Sequence, residues 1–310
     1  MDISDKSVCL VGGAGAIGQQ TARHLLELGV GRLTIYDNFS SGKRENLDEV
    51  WDQCHIVPGD IIHNGKLISA LSGVDVVIHL AALGLKDSER FPGSIFETNI
   101  RGTMNVLEAC QLNEVSRIVF ASCATVYGRP EVSILGEGHP LGGTTFYSTS
   151  KIIGERLVRS YCHNTPMSGV SLRYFNVYGA PFESFVSNMI DDIQNDPLVS
   201  VPDSGGPFFD FIHLQDVARA NVLASLAHID DYEVYNVCTG DSYSLSTLVS
   251  MLGRMMDLDV RLEYVKSKDS IFHSKGDPKE ASYWLGFDAE VKLVDGLEDE
   301  VGQRFTFKRV

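Results

Sequence analysis

Apolar residues in this chain fall first into an unbroken run and then into positions spaced by three and four. Residues 7–11 (Ser7-Val8-Cys9-Leu10-Val11) show no polar alternation, which predicts a strand buried on both faces. After Gly15 the spacing changes: Ile17, Ala22, Leu25, Leu26 and Leu28 predict a helix that stops at Gly29. The rhythm then repeats. Further strands are predicted at 32–36, 74–80, 116–122, 170–175 and 233–237, and helices at 94–110, 147–161 and 213–228. Strands separated by helices need crossovers, and crossovers of one hand produce a parallel sheet covered on both faces. The predicted class is α/β with a doubly wound parallel sheet.

After Tyr178 the pattern breaks. Pro181, Pro197, Pro202, Gly205, Gly206 and Pro207 punctuate residues 179–211, around one helical stretch at 185–194. Beyond Gly240 come a helix at 245–256, a strand at 260–265, a polar loop at 267–277 and a terminal helical region. This predicts a main domain over 1–176 to which 213–238 returns. Residues 177–212 and 239–310 form a smaller C-terminal lobe.

Composition removes several classes. No apolar run approaches the roughly 20 residues that span a bilayer, so no membrane partner is expected. The start, Met1-Asp2-Ile3-Ser4-Asp5-Lys6, is acidic and leads into a strand, which predicts no signal peptide. The six cysteines include no Cys-x-x-Cys pair and lack histidines at metal-ligand spacing, consistent with a reduced cytoplasm. The formal charge of −15 repels phosphate backbones and argues against nucleic acid. A small anionic substrate remains compatible, because local donors can outweigh the global field.

Two features carry chemistry. Gly12-x-x-Gly15-x-x-Gly18 lies between the first strand and the first helix, where glycines let the backbone turn tightly and approach a pyrophosphate. The helix start presents free N–H groups and a positive dipole end to phosphate. Asp37 ends the second strand about 20 residues beyond Gly18, the place of a carboxylate that accepts from a ribose 2′-OH. That favours NAD over NADP, although Lys43 and Arg44 lie close by. The second feature is Tyr147 and Lys151, at i and i+4 on one predicted helix face. A neighbouring ammonium favours phenolate, so the expectation is a lowered tyrosine pKa and a usable base.

The ordered motifs resemble the extended short-chain dehydrogenase/reductase superfamily, in its nucleotide-sugar epimerase/dehydratase branch. They include Gly12 to Gly18, Asp37-Asn38-Phe39-Ser40-Ser41-Gly42, Gly59-Asp60-Ile61, His79-Leu80-Ala81-Ala82 and Asn99-x-x-Gly102-Thr103. Val126-Tyr127-Gly128, Tyr147-x-x-x-Lys151, Arg173 to Gly179 and Asp210 to Ala218 follow in order. The resemblance implies a Rossmann-like sheet holding NAD and a C-terminal lobe holding a nucleotide diphosphate sugar, UDP-linked in the epimerases it is most like. It implies cofactor contacts from Gly12, Gly15, Ala16, Ile17, Gly18, Asp37, Asn38, Ser40 and Gly42. Asp60, Ile61, Leu80, Ala81, Ala82, Asn99, Tyr147 and Lys151 complete that set. Tyr147 would be the base and Lys151 its electrostatic support, and Asn176 would meet the substrate diphosphate. Family counterparts of the 94–110 and 147–161 helices pair two subunits, which implies a homodimer.

Departures from the family pattern narrow the reaction. Cys123 stands where the family has Ser or Thr. Either its thiol relays a proton, or Ser122 or Thr125 replaces it, or catalysis is slow, or it only packs. The next two positions, Ala124 and Thr125, lack the carboxylates that family dehydratases and decarboxylases place there. Epimerisation, at C4 by the resemblance, and net dehydrogenation remain, beside a non-catalytic NAD-binding role. Phe209 replaces a phosphate-binding Arg, after Phe208; the pair could stack on a base or sugar or fill the core. Lys266, Lys268 and Lys275 are candidate replacements, with Lys268 the expected substrate contact. His79, His213 and Arg173 read as structural, and Glu298-Asp299-Glu300 as a solvated helix face.

Overall fold

The computed structural model describes residues 3–130, 132–202, 208–266 and 273–307. The first half runs β1 (Ser7–Val11), α1 (Ala16–Glu27), β2 (Arg32–Asp37), β3 (His55–Pro58), α2 (Asn64–Ala70) and β4 (Val76–His79). It continues through α3 (Leu85–Arg90), α4 (Pro92–Ile95), α5 (Thr103–Leu112), β5 (Arg117–Cys123), α6 (Phe146–Asn164) and β6 (Ser168–Tyr174). Then follow β7 (Asn176–Tyr178), α7 (Phe185–Asn195), β8 (Leu198–Pro202), β9 (Phe208–Phe209), β10 (Phe211–His213) and α8 (Leu214–Leu226). The chain closes with β11 (Tyr232–Val237), β12 (Tyr243–Ser244), α9 (Leu245–Met255), β13 (Arg261–Val265), β14 (His273–Ser274), α10 (Lys279–Leu285) and α11 (Leu293–Phe307).

Seven strands form a parallel sheet in the order β11-β6-β5-β4-β1-β2-β3. Strand β1 explains the unbroken apolar run, because both of its faces are covered. Val8 and Leu10 enter a layer with Ala22 and Leu25 of α1 and Val217 and Ala220 of α8. Cys9 and Val11 enter the opposite layer with Leu67 of α2, Leu107 of α5 and Val158 of α6. The sheet order reverses between β1 and β4, so the loops that leave their C-terminal ends part and open a crevice. A third apolar cluster joins Ile190 of α7, Leu252 of α9 and Leu297 of α11 into the smaller lobe.

The predicted parallel α/β sheet is present. Strand β3 and helix α2 were not predicted: β3 is a four-residue edge strand, and Leu67 is the one α2 residue buried. The single helix predicted at 94–110 is instead α4, a π-helical turn over Phe96–Gly102, and α5. The π turn holds Asn99 inward, where it is buried. Glu300 also departs from expectation, with no exposed surface. Its Oε2 accepts the Gly179 N–H at 3.2 Å, because α11 packs across the end of β7.

Candidate active site

The crevice is built from the close approach of two strand ends. The Leu80 and Ala81 N–H groups both donate to the Val11 carbonyl, at 2.8 and 2.9 Å. Gly12 sits in the gap with φ +86°, and a Cβ there would lie 2.6 Å from the Ala81 Cα. Gly18 packs α1 onto the loop, since its Cβ would come within 2.5 Å of the Gly13 Cα. Gly15 is different: its Cβ would meet nothing nearer than the Gly12 carbonyl at 3.5 Å, and no side chain caps α1. Gly12, Gly15, Ala16, Ile17 and Gly18 together floor the cleft.

One side of the cleft is Asp37, Asn38 and Ser40 with Asp60 and Ile61, and the other is Leu80, Ala81 and Ala82. Asp37 has a second task. Its Oδ2 accepts the Ala14 N–H at 2.9 Å and its Oδ1 accepts the Phe39 N–H at 2.8 Å, tying the glycine loop to β2. Burial raises the Asp37 carboxyl against these N–H donors. Asn38 donates to Asp60 at 2.7 Å, joining the ends of β2 and β3. Arg44 is stacked over Trp51 at 4.4 Å, which engages its guanidinium there.

Two expected contacts act from behind the wall. Asn99 Oδ1 accepts the Leu83 N–H at 2.8 Å, and its Nδ2 donates to the Leu83 carbonyl and to Ser150 Oγ. Gly42 presses on the loop, where a Cβ would lie 2.5 Å from the Ala14 carbonyl carbon. Neither lines the cleft, and nor do the expected cofactor contacts Tyr147 and Lys151. Tyr36, Ser41, Leu83, Thr98, Ala121 and Phe182 line it without having been predicted. Tyr36, Ser41, Leu83, Thr98 and Ala121 adjoin singled-out residues and could have been found by extending each motif by one position. Phe182 arrives from the smaller lobe and carries no local signal. The open Gly15, the uncapped α1 start and the Asp37 carboxylate fit the pyrophosphate and ribose of NAD.

Helix α6 begins with a capping box: Thr145 Oγ1 accepts the Ser148 N–H at 3.0 Å, and Ser148 Oγ accepts the Thr145 N–H. This start aims Tyr147 at the C-terminal end of β5. The Cys123 thiol hydrogen-bonds the Tyr147 hydroxyl and lies 2.7 Å from Thr125 Oγ1. Lys151 donates from Nζ to the Ala121 carbonyl at 2.7 Å, and that nitrogen stands 5.7 Å from the Tyr147 ring centre. The electrostatics correct the expectation of a lowered tyrosine. Burial and the adjoining Cys123 push Tyr147 well above its ordinary value. Burial also pulls Lys151 down to about 8, opposed by Cys123 and Glu155.

The expected substrate residues separate. Thr125 is exposed beside Cys123. Ser122 is turned away: its hydroxyl donates to Glu155 at 2.5 Å, inside a buried pair with Arg173. Adjacent strand residues point to opposite faces, so Ser122 and Cys123 cannot share a role. Asn176 Nδ2 donates to the Asp210 carbonyl at 2.8 Å and to Ser274 Oγ at 3.2 Å. Phe209 packs between Phe185 and Phe211, with ring centres at 5.4 and 5.9 Å, so it fills the lobe rather than offering a charge. Lys268 lies outside the described residues; Lys266 is exposed and Lys275 half-buried. His79 is a core histidine bonded to Thr103 at 3.0 Å, and Arg173 is structural as expected. Among the described residues no side-chain cluster could hold a metal.

Known proteins resemble this chain over nearly its whole length. UDP-glucose 4-epimerase of Yersinia enterocolitica is 30% identical, over 94% of this chain and 96% of its own length. The crystal structure of UDP-glucose 4-epimerase from Thermotoga maritima with UDP-glucose superposes with TM-score 0.87 at 27% identity, covering 97% of this chain and 99% of that one. A dTDP-glucose 4,6-dehydratase from Streptomyces venezuelae with NAD bound gives TM-score 0.89 at 25% identity, over 98% of each chain. Residues 8–238 match the NAD dependent epimerase/dehydratase family as a whole. With its glycine loop flooring the cleft and its lysine bonded to Ala121 of the cleft wall, this chain belongs to that family, whose cofactor is NAD.

Proposed function

We propose that this chain is an NAD-dependent nucleotide-sugar 4-epimerase acting on a UDP-linked sugar, with Tyr147 as base. The observation that carries this reading is the hydrogen-bonded set Thr125, Cys123 and Tyr147 beside Lys151, next to the wall formed by Ala121. No carboxylate stands at Ala124 or Thr125 to drive elimination. Similarity to UDP-glucose 4-epimerases over nearly the whole chain supports the same assignment.

When bound, NAD supplies a hydride acceptor and donor. Gly15 and the start of α1 would hold its pyrophosphate, and Asp37 would accept from a ribose hydroxyl. Tyr147 takes the proton of the C4 hydroxyl, while the Lys151 ammonium stabilises the phenolate that burial otherwise disfavours. Cys123 and Thr125 orient the tyrosine hydroxyl and meet the sugar. The resulting 4-keto sugar turns about its diphosphate linkage and is returned as the epimer. Phe209 in place of a cation leaves the linkage less tightly gripped, which is compatible with that turn.

We also place the enzyme in the cytoplasm as a homodimer. All six cysteines are free thiols, and no described helix is long and apolar enough to cross a membrane. Phe91, Phe96, Met104 and Leu112 remain exposed around α4 and α5, and Phe146 of α6 meets Phe96 edge-on at 6.0 Å. Sedimentation of a monomer at micromolar concentration would sink the dimer.

The test incubates the NAD-loaded protein with UDP-glucose, UDP-galactose and their N-acetylated counterparts, resolving products by chromatography and mass. A new peak of unchanged mass supports epimerisation, and Tyr147→Phe should slow it by about 10²–10⁴-fold. Stoichiometric NADH with a product lighter by two hydrogens would make this a dehydrogenase. Equal rates in wild type and Tyr147→Phe would remove the tyrosine from the chemistry.

A further inference from the structure

Three consecutive residues of β5 meet three residues of α6. The Ala121 carbonyl accepts from Lys151 Nζ at 2.7 Å, Ser122 Oγ donates to Glu155 Oε1 at 2.5 Å, and Cys123 bonds the Tyr147 hydroxyl. Tyr147, Lys151 and Glu155 are spaced by four and share one helix face. Glu155 reaches further, into the neighbouring strand. Arg173 Nε donates to its Oε1 at 2.9 Å and Arg173 Nη2 to its Oε2 at 2.7 Å. Arg173 on β6 is the register partner of Ser122 on β5. One carboxylate therefore joins a single rung of the sheet to the helix that carries the reacting groups. The remaining guanidinium nitrogen, Nη1, donates to the Tyr127 hydroxyl and the Glu137 carbonyl, both at 3.0 Å. That extends the tie to the segment holding Thr125. Glu155 and Arg173 are each 4% exposed, and neither lines the cofactor cleft.

We propose that Glu155 is a positioning residue for this enzyme, locking α6 to β5 and β6 so that Lys151 and Tyr147 meet Ala121 and Cys123 together. The inference rests on the epimerase reading for its consequence on rate. Burying two charges gains little stability over packed apolar groups, so the pair is best understood through the geometry it imposes. Sliding α6 by a fraction of a turn would part Tyr147 from Cys123 and Lys151 from Ala121 at once. The negative charge also acts on Lys151, favouring its protonated form against burial.

The test uses the NAD-loaded protein. Glu155→Gln alone would leave the Arg173 charge buried and uncompensated, so it is paired with Arg173→Met, and Ser122→Ala serves as a milder companion. The double variant should lose about 10–100-fold in kcat, with KM for UDP-glucose within about twofold. A second readout needs no turnover: the pH midpoint of Lys151 acetylation by acetic anhydride, followed by mass spectrometry of its peptide. That midpoint should fall by roughly half a pH unit or more in the double variant and stay in place in Ser122→Ala, which keeps the charge. Ser122→Ala should lose about threefold or more in kcat. A folded double variant with wild-type kcat and an unmoved midpoint would overturn the proposal. If the double variant does not fold, unchanged kcat in Ser122→Ala overturns it. If wild type converts no nucleotide sugar, the epimerase reading fails, and the acetylation midpoint alone judges Glu155.

Discussion

Replacing Gly12 by alanine tests whether the cleft depends on strand ends that approach too closely for a side chain. Gly12 has φ +86°, a region that costs an L residue about 1–2 kcal/mol. The new Cβ would sit 2.6 Å from the Ala81 Cα and 2.9 Å from the Leu80 carbonyl carbon. Carbon atoms prefer separations near 3.5–4.0 Å, so residues 80–81 must retreat by about 1 Å. That retreat pulls on the two N–H groups that hold the Val11 carbonyl, each worth about 1 kcal/mol net. The expected loss is about 3 kcal/mol, a drop in Tm on the order of 5 °C for a chain of 310 residues. Because Leu80 and Ala81 wall the cleft, NAD affinity should fall about tenfold or more as well. Gly15→Ala is the contrasting control, since its Cβ finds no contact nearer than 3.5 Å yet faces the cleft. It should leave Tm within about 1–2 °C while weakening NAD binding comparably, as surface changes without lost contacts cost little. Differential scanning fluorimetry and calorimetric titration with NAD read both quantities. A Gly12→Ala protein with wild-type Tm and NAD affinity would refute the close-approach reasoning.

Lys151, pulled to about 8 by burial, should lose its charge as pH rises through that value, so kcat should decline above about pH 8. In stability the sign is opposite: between pH 8 and the ordinary 10.5 the unfolded chain binds the proton more tightly. Wild type should therefore gain relative to Lys151→Met across that window, and an equal change in urea-unfolding stability of the two proteins between about pH 8.5 and 10 would contradict it. Cys123→Ser supplies a shorter hydrogen bond to Tyr147 and should keep activity within about tenfold; a loss beyond about 10²-fold would instead favour a covalent thiol. Glu300, raised to about 7 by burial, favours the fold fully below its ordinary 4.5 and loses that contribution as pH rises through 7. Glu300→Gln should flatten this decline, worth about 3 kcal/mol, and an identical stability slope from pH 5 to 8 in both proteins would sink it.

Features that depend on local spacing were legible along the chain. Gly12, Gly15 and Gly18 lie within two turns of one another, so their demands on the backbone appear as a motif, and Asp37 follows from the end of the next strand. Tyr147 and Lys151 share a face because a helix repeats near four residues. The alternation of runs and periodic segments was enough for a parallel sheet covered on both faces. Edge strand β3 escaped because a four-residue strand with partly exposed positions carries no apolar run. The helix over 94–110 hid its π turn, since Asn99 is turned inward by bonds to Leu83 and Ser150, which no local pattern announces.

What remained belongs to tertiary structure. Phe182 reaches the cleft from the smaller lobe, and Glu155 finds Ser122 and Arg173 across two strands. Ser122 and Cys123 are neighbours in sequence but separate in role, because β5 is sandwiched between layers and alternates its side chains between them. The direction of the Tyr147 shift is the clearest case. Spacing alone places an ammonium near the phenol and predicts a lowered pKa, whereas the folded site raises it. Ion pairing acts between two named residues and can be read from their separation. Desolvation is a sum over every group that packs around the site, and only the assembled fold determines it.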